Sequence, residues 1–177
     1  PAPQSSLPLA NPDRRAIFFT VLGEPPLKML RYQQQYNFFD AAKVNDSIRF
    51  INLADEIVAG DYDRVLSRIV EEVERFGPSL VMVDSFRSVI QSARSAGRDE
   101  MDLQHFVQRL GMLLTTWEAT TFLIGEYVAL ESEANPIFTV ADGIVWMAQS
   151  IERNSVVRKL QIMKMRGHAT IPGLHTF

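Results

Sequence analysis

Residues Ser79–Phe86 read SLVMVDSF, and this stretch decides the fold that we predict for the chain. Four apolar residues, Leu80 to Val83, follow Gly77-Pro78 closely and lead directly into Asp84. A short apolar run of this kind is typical of a strand buried on both faces in a parallel sheet. Ligands of open α/β sheets bind at the carboxyl ends of the strands, where Asp84 would lie. Asp84 is therefore predicted to orient a metal ion or, as the alternative, to cap the following helix.

Strands and helices are predicted to alternate along the rest of the chain, because β-branched runs alternate with apolar residues at helical spacing. The predicted strands are Ala16–Leu22, Ile48–Leu53, the opening stretch, Thr120–Ile124, Gly143–Ser150 and Ser155–Arg166. The predicted helices are Leu27–Phe39, Asp61–Phe76, Phe86–Ile90 and Asp99–Trp117. This order implies an α/β fold with a mainly parallel sheet, helices on both faces and a C-terminal antiparallel hairpin at the end of the sheet. We expect one domain over residues 13–177, after an irregular lead-in at residues 1–12.

The composition limits the classes of protein to which the chain can belong. The chain has 177 residues, 46% of them hydrophobic, which is enough to bury a core. The formal net charge of −3 disfavours nucleic acid as a partner. No apolar run approaches the roughly 18 residues of a membrane span, so no membrane association is expected. The absence of cysteine excludes disulfides and thiolate metal sites and is compatible with a cytoplasmic location.

Three of the predicted strands are followed by an acidic residue: Glu24, Asp84 and Glu126. Right-handed crossovers make these strands parallel, so the three carboxylates are predicted to lie along one edge of the sheet. Three carboxylates at one edge would repel one another without a cation. The pattern therefore favours a metal or metal–nucleotide site over three unrelated helix caps.

Two cations, Lys164 and Arg166, lie at the end of the last predicted strand. Strand alternation places both on one face, with Met165 on the other. Two cations on one face suit a polyphosphate, because Arg offers a planar fork of donors and Lys a compact charge. A solvated face of an edge strand is the alternative, and the spacing does not separate the two.

Five segments of the chain, in this order, resemble the KaiC-like branch of the RecA superfamily of ATPases. The resemblance runs from about Arg15 to the C-terminus. The segments are FTVLGEP at Phe19–Pro25, SLVMVDS at Ser79–Ser85, ATTFLIGE at Ala119–Glu126, VADGIVWM at Val140–Met147 and KLQIMKMRG at Lys159–Gly167. They are similar, in turn, to the family's glutamate-pair strand, Walker B strand, Thr-Thr-Glu strand, Val-Ser-Asp segment and Lys-x-Arg-Gly strand.

The resemblance implies a RecA-like domain that uses ATP and Mg²⁺. Asp84 would orient the metal, and Ser85 and Glu126 would contribute to nucleotide or metal binding. Glu24 would position or deprotonate the attacking water.

The resemblance also implies that the protein acts as a homo-oligomer, in a hexameric ring in the cytoplasm. Lys164 and Arg166 would act catalytically on the γ-phosphate held by the next subunit. Hydrolysis and autophosphorylation of the protein itself both occur in this branch. A regulatory or signalling role like that of circadian clock proteins is implied as well, together with protein partners.

The chain departs from the family's pattern in two places. Gly23 stands where the family usually has the first glutamate of its pair, so Glu24 is the single acidic residue of the pair in this chain. None of the nine glycines is followed by lysine, so the phosphate-binding G-x-x-x-x-G-K-[S/T] loop is missing. The family's phosphate-loop strand lies in the middle of its sheet, and its loss would expose backbone groups and apolar surface on both sides of the gap. We therefore expect the natural protein to carry a segment, near or before Leu7 to Asn11, that this sequence lacks.

The same departures leave a second function open. A degenerate RecA-like module that no longer hydrolyses ATP would act as an interaction or regulatory subunit. A missing phosphate loop and a single glutamate fit such a module directly.

Overall fold

The computed structural model describes residues 14–21, 26–58, 60–97, 99–127 and 136–177. The chain divides into two compact units between Glu131 and Ser132. The expectation of one domain over residues 13–177 stays a prediction. The predicted lead-in at residues 1–12 lies outside the described residues.

Four parallel strands form the sheet of the first unit, in the order β2-β1-β3-β4. They are β1 (Ala16–Thr20), β2 (Ile48–Asn52), β3 (Leu80–Asp84) and β4 (Thr120–Ile124). The register aligns Thr20 of β1 with Asp84 of β3, and Asp84 with Ile124 of β4. The carboxyl ends of these three strands therefore meet at one edge, and the predicted parallel α/β fold is confirmed.

Helices flank this sheet. They are α1 (Pro26–Gln33), α2 (Ala54–Val58), α3 (Tyr62–Phe76), α4 (Phe86–Ser95) and α5 (Glu100–Thr116), with a short 3₁₀ turn at Ala41–Lys43. The start and stop signals of α3 act as predicted. The Asp61 side chain accepts a hydrogen bond from the Asp63 N–H at 2.9 Å. Gly77 ends the helix at φ 60°, in the left-handed region that favours glycine.

Two of the predicted helices end elsewhere. The predicted helix at Leu27–Phe39 ends at Gln33, because Tyr36 and Phe38 stay exposed and stack on each other instead of forming a buried stripe. The helix predicted to stop at Ile90 continues to Ser95. Its added turn is held by the Ser92 hydroxyl, which donates to the Ile57 carbonyl of α2 at 2.6 Å.

The core beside β3 is aromatic. The ring of Phe106, on α5, stacks between Tyr62 of α3 and Phe86 of α4, with centroid distances of 4.7 and 6.0 Å. Phe86 is 1% exposed. Because Phe86 follows Asp84 by two residues, this packing holds the backbone directly after the end of β3.

The second unit is a small antiparallel sheet with one short helix. It contains α6 (Pro136–Val140), β5 (Gly143–Glu152), β6 (Ser155–Met165) and β7 (His175–Thr176), with strand order β5-β6-β7. Arg153 and Asn154 join β5 to β6 with φ values of 49° and 64°, the left-handed pair typical of a two-residue hairpin turn. We expected the hairpin at the end of the parallel sheet. Among the described residues it forms a separate three-stranded sheet, in which β6 pairs with β5 on one edge and with β7 on the other.

Within the described ranges, no helix is long and apolar enough to cross a membrane.

Candidate functional site

The carboxyl end of β3 places Asp84 in the middle of the described sheet edge. The Val21 N–H, just after β1, donates to the Asp84 carbonyl at 2.8 Å, which ties the two strand ends together. The peptide bond between Asp84 and Ser85 is cis. Helix α4 begins at Phe86, so Ser85, not Asp84, directly precedes it, and the Ser88 N–H donates to the Ser85 carbonyl at 3.0 Å. This position of Ser85 weakens the alternative in which Asp84 serves as the helix cap.

Glu126 lies two residues beyond the end of β4, whose last residue, Ile124, is aligned with Asp84. Although the Asp84 side chain remains exposed, the surrounding strand ends remove part of its water. This partial burial raises the pKa of Asp84 above its ordinary value of 3.8, and the negative charge of Glu126 raises it further. The structure thus brings two of the three predicted acids within electrostatic reach of each other. A divalent cation is the natural counter-charge for such a pair.

The third predicted acid, Glu24, lies in residues 22–25, outside the described residues. Its place at the sheet edge therefore stays a prediction. Among the residues that the structure describes, no group of three or more His, Asp and Glu side chains is arranged to hold a metal ion. The predicted acidic trio includes Glu24, which is outside these residues, so the trio stays a prediction.

The two predicted cations lie in the second unit, at the end of β6. Lys164 Nζ donates to the carbonyls of Phe138 and Thr139, in the last turn of α6, at 3.1 and 3.0 Å. Arg166 Nη1 donates to Asp142 Oδ1 at 2.9 Å, and Nη2 donates to the Thr139 carbonyl at 3.3 Å. Both cations reach the same carbonyl, so they lie on one face, as strand alternation predicts.

Asp142 is the residue that sequence reasoning missed. It belongs to the segment VADGIVWM, which carried the resemblance without any assigned role. The antiparallel register pairs Gly143 with Met165, which places Asp142 opposite Arg166 one step further along. An acidic residue opposite a basic one at the open end of a hairpin indicates a cross-strand ion pair. The two residues can be recognised as opposite only when the register of the hairpin is known.

A family model described as "ATPase: KaiC" matches residues 12–177. The circadian clock oscillator protein KaiC of Synechococcus elongatus is 26% identical over 167 residues, and that of Rippkaea orientalis is 26% identical over 168 residues. Each alignment covers 90% of this chain and 32% of the relative. The chain therefore spans about a third of the length of the curated relatives that it matches.

Proposed function

The chain belongs to the KaiC family of ATPases, and from this premise we propose that it binds ATP with Mg²⁺ and hydrolyses it between the subunits of a ring. The family match over residues 12–177 supports a KaiC-like nucleotide-binding domain. The observation that carries the proposal of Mg²⁺–ATP binding is the Asp84–Glu126 pair at the carboxyl edge of the parallel sheet. A hexameric ring, a cytoplasmic location and a regulatory role are parts of the same proposal.

The acidic residues form the metal-binding half of the proposed site. Their chemistry fits Mg²⁺, since a partly desolvated carboxylate beside a second carboxylate gains from an oxygen-seeking divalent cation. When bound, Mg²⁺ would neutralise charge on the phosphates. Asp84 would orient the ion, with Ser85 and Glu126 beside it, and Glu24 would hold the attacking water or take its proton.

The cationic residues form the other half. Lys164 and Arg166 would act in trans, where their charges stabilise the negative charge that develops on the γ-phosphate of a neighbouring subunit's ATP. Their hydrogen bonds to the same Thr139 carbonyl support this role, because one phosphate can then contact both side chains. Such a contact is strongest in the transition state, so we expect its loss to lower kcat more than it raises KM.

The proposal requires backbone donors that hold the phosphates, and β4 offers the place for them. In the described part of the sheet β4 is an edge strand, and Phe122 on it is 49% exposed. An edge strand presents unpaired backbone N–H and C=O groups with which a further strand can pair, and side chains of that strand would pack beside Phe122. We propose that the phosphate-holding strand pairs with β4 in the functional protein.

The test is ATP hydrolysis by the natural full-length protein carrying Lys164→Ala and Arg166→Ala together. Loss of a preorganised charge donor typically lowers kcat by about 10²–10³-fold. Arg158→Ala is the matched control, since Arg158 is an exposed cation of the same strand, away from α6. Unchanged hydrolysis by the double variant would contradict the proposal.

The missing phosphate loop favours a second candidate, a degenerate module with a regulatory or interaction role. No G-x-x-x-x-G-K-[S/T] sequence occurs in the 177 residues, and Gly23 replaces one glutamate. Nucleotide binding by the natural protein separates the two candidates. Micromolar or tighter binding that depends on Mg²⁺ supports the ATPase, whereas no binding supports the module. If hydrolysis is absent but the protein becomes labelled by γ-phosphate, the same site acts as an autokinase.

A further inference from the structure

Asp142 holds Arg166 at two points. The Asp142 side chain accepts a hydrogen bond from the Arg166 guanidinium at 2.9 Å, and its backbone carbonyl accepts one from the Arg166 N–H at 2.8 Å. The backbone hydrogen bond fixes the main chain of Arg166, and the Asp142 carboxylate fixes its guanidinium group. Because both ends are held, few rotamers of the Arg166 side chain remain available. The guanidinium group of Arg166 has five N–H donors, and its two contacts with described residues use two of them. Other N–H donors of the group can therefore bind an anion.

The end of α6 holds the other cation. Lys164 donates to two carbonyls of its last turn, Phe138 and Thr139, and Arg166 shares the second of them. Carbonyls in the last turn of a helix carry partial negative charge and lack intrahelical partners, so they attract cations. The Thr139 carbonyl thereby fixes the spacing between the ammonium and the guanidinium.

The stability of the fold does not explain the Asp142–Arg166 pair. Its side chains are 80% and 58% exposed, and ion pairs this exposed contribute little to folding. What the pair does restrict is the direction of a long, flexible cation. The attraction between the two charges offsets the rotamer entropy that the pair costs, so the pair can orient Arg166 without adding to stability.

We propose that Asp142 is a positioning residue, which acts with the last turn of α6 to hold Lys164 and Arg166 in the arrangement that engages a neighbouring subunit's phosphate. This role rests on the proposed function, in which both cations act in trans. Asp142 itself does not touch the nucleotide. It acts through Arg166, and its removal therefore has no further effect once Arg166 is gone.

A double-mutant cycle tests this dependence in the natural full-length protein with ATP and Mg²⁺. We expect Asp142→Asn, which keeps the size of the side chain, to lower kcat about tenfold with KM changed less than about twofold, since a misplacement of about 1 Å can cost about 10²-fold and a smaller one costs less. In an Arg166→Ala background the same substitution should have no effect. Asp142→Glu keeps the carboxylate and should recover activity above that of Asp142→Asn.

The outcomes separate this role from the proposed function. If Arg166→Ala is inactive and Asp142→Asn matches the wild type, the positioning role is overturned and the trans function stands. An equal fold loss from Asp142→Asn in both backgrounds also overturns it, because additivity indicates a general structural effect. If the wild type does not hydrolyse ATP, or if Arg166→Ala is fully active, the proposed function fails and the positioning role fails with it. Melting temperatures of the four proteins of the cycle and of Asp142→Glu establish that each is folded, and Asp142→Ala replaces Asp142→Asn if the latter does not fold.

Discussion

Replacing Asp84 by asparagine should stabilise the natural protein without ligand and abolish its response to Mg²⁺ and ATP. The substitution keeps the shape of the side chain and its capacity to accept hydrogen bonds. It removes a negative charge that is partly buried and faces Glu126. A residue whose loss improves the fold and removes the function is typical of a binding site.

The part of the gain in stability that comes from repulsion by Glu126 can be worked from the strand geometry. Neighbouring strands lie about 4.8 Å apart and two residues advance about 6.6 Å, so Asp84 and Glu126 are roughly 8 Å apart along extended backbone. Two unit charges at that separation repel by about 0.5 kcal/mol in water and about 2 kcal/mol at an effective dielectric constant near 20. Both side chains are exposed, so screening favours the lower value. We therefore expect a gain of about 0.5–1 kcal/mol in the free energy of unfolding, or about 1–4 °C in melting temperature.

The stabilisation by Asp84→Asn should depend on pH, in a direction that follows from the pKa of Asp84. Below the ordinary pKa of 3.8, Asp84 is neutral in both the folded and the unfolded chain, so Asp84→Asn should change nothing there. Burial and then Glu126 raise the pKa of Asp84 in the folded state. As the pH rises from 3.8 through this raised value, the wild type loses stability that the variant keeps. Thermal unfolding of both proteins across this pH range measures the difference.

Two comparisons make the Asp84 experiment decisive. Asp46→Asn, at an exposed turn aspartate, is the matched control and should leave the Mg²⁺–ATP response intact. Glu126→Gln should lower the pKa of Asp84 by removing the second cause of its shift, which carboxyl titration by NMR would detect. A loss of stability on Asp84→Asn at neutral pH, or full stabilisation of the variant by Mg²⁺ and ATP, would refute the assignment of Asp84 to a metal site.

Other predictions follow from packing. Gly60→Ala should destabilise the protein more than Gly77→Ala, by about 1–3 kcal/mol in chemical denaturation. Both glycines have φ near 60°, but an added Cβ at Gly60 would overlap the Ala96 side chain, whereas at Gly77 it meets nothing within 4 Å. Equal losses would show that strain of the backbone alone, without the overlap, governs both sites. Phe86→Ala should cost about 3–5 kcal/mol, since Phe86 is buried among aromatic rings, and Phe122→Ala should cost much less in the 177-residue chain because Phe122 is half exposed. A large loss at Phe122 in that chain would contradict its exposure on an edge strand.

Local patterns predicted most of the first unit. Thr120–Ile124 is a strand over the predicted residues, and α3 begins and ends at its predicted signals, Asp61 and Gly77. Such features depend on residues close in sequence, so a single chain carries enough information to find them. The five-residue helices α2 and α6 were missed because one turn of helix shows no apolar period. The length of α4 was underestimated because Ser92 finds its partner, the Ile57 carbonyl, 35 residues away.

Part of the candidate site could likewise be predicted from the sequence, and part of it depends on contacts between distant residues. That Asp84 and Glu126 lie at one edge follows from parallel strands, and the sequence is sufficient to predict parallel strands from their alternation with helices. The partners of Lys164 and Arg166 follow from the register of β5 with β6 and from α6, and neither can be read from spacing along the chain. The pairing of Asp142 with Arg166 therefore could not be predicted before the register of β5 with β6 was known.

The central claim is that the acids of one subunit and the cations of the next complete one site. Its most direct test is a mixture of two inactive variants of the natural protein, Asp84→Ala and the double variant Lys164→Ala/Arg166→Ala, co-expressed so that their rings mix. In head-to-tail rings assembled at random from equal amounts, about a quarter of the interfaces would pair intact acids with intact cations. We predict that ATP hydrolysis recovers to about a quarter of the wild-type rate. A mixture that assembles and stays inactive would contradict the claim.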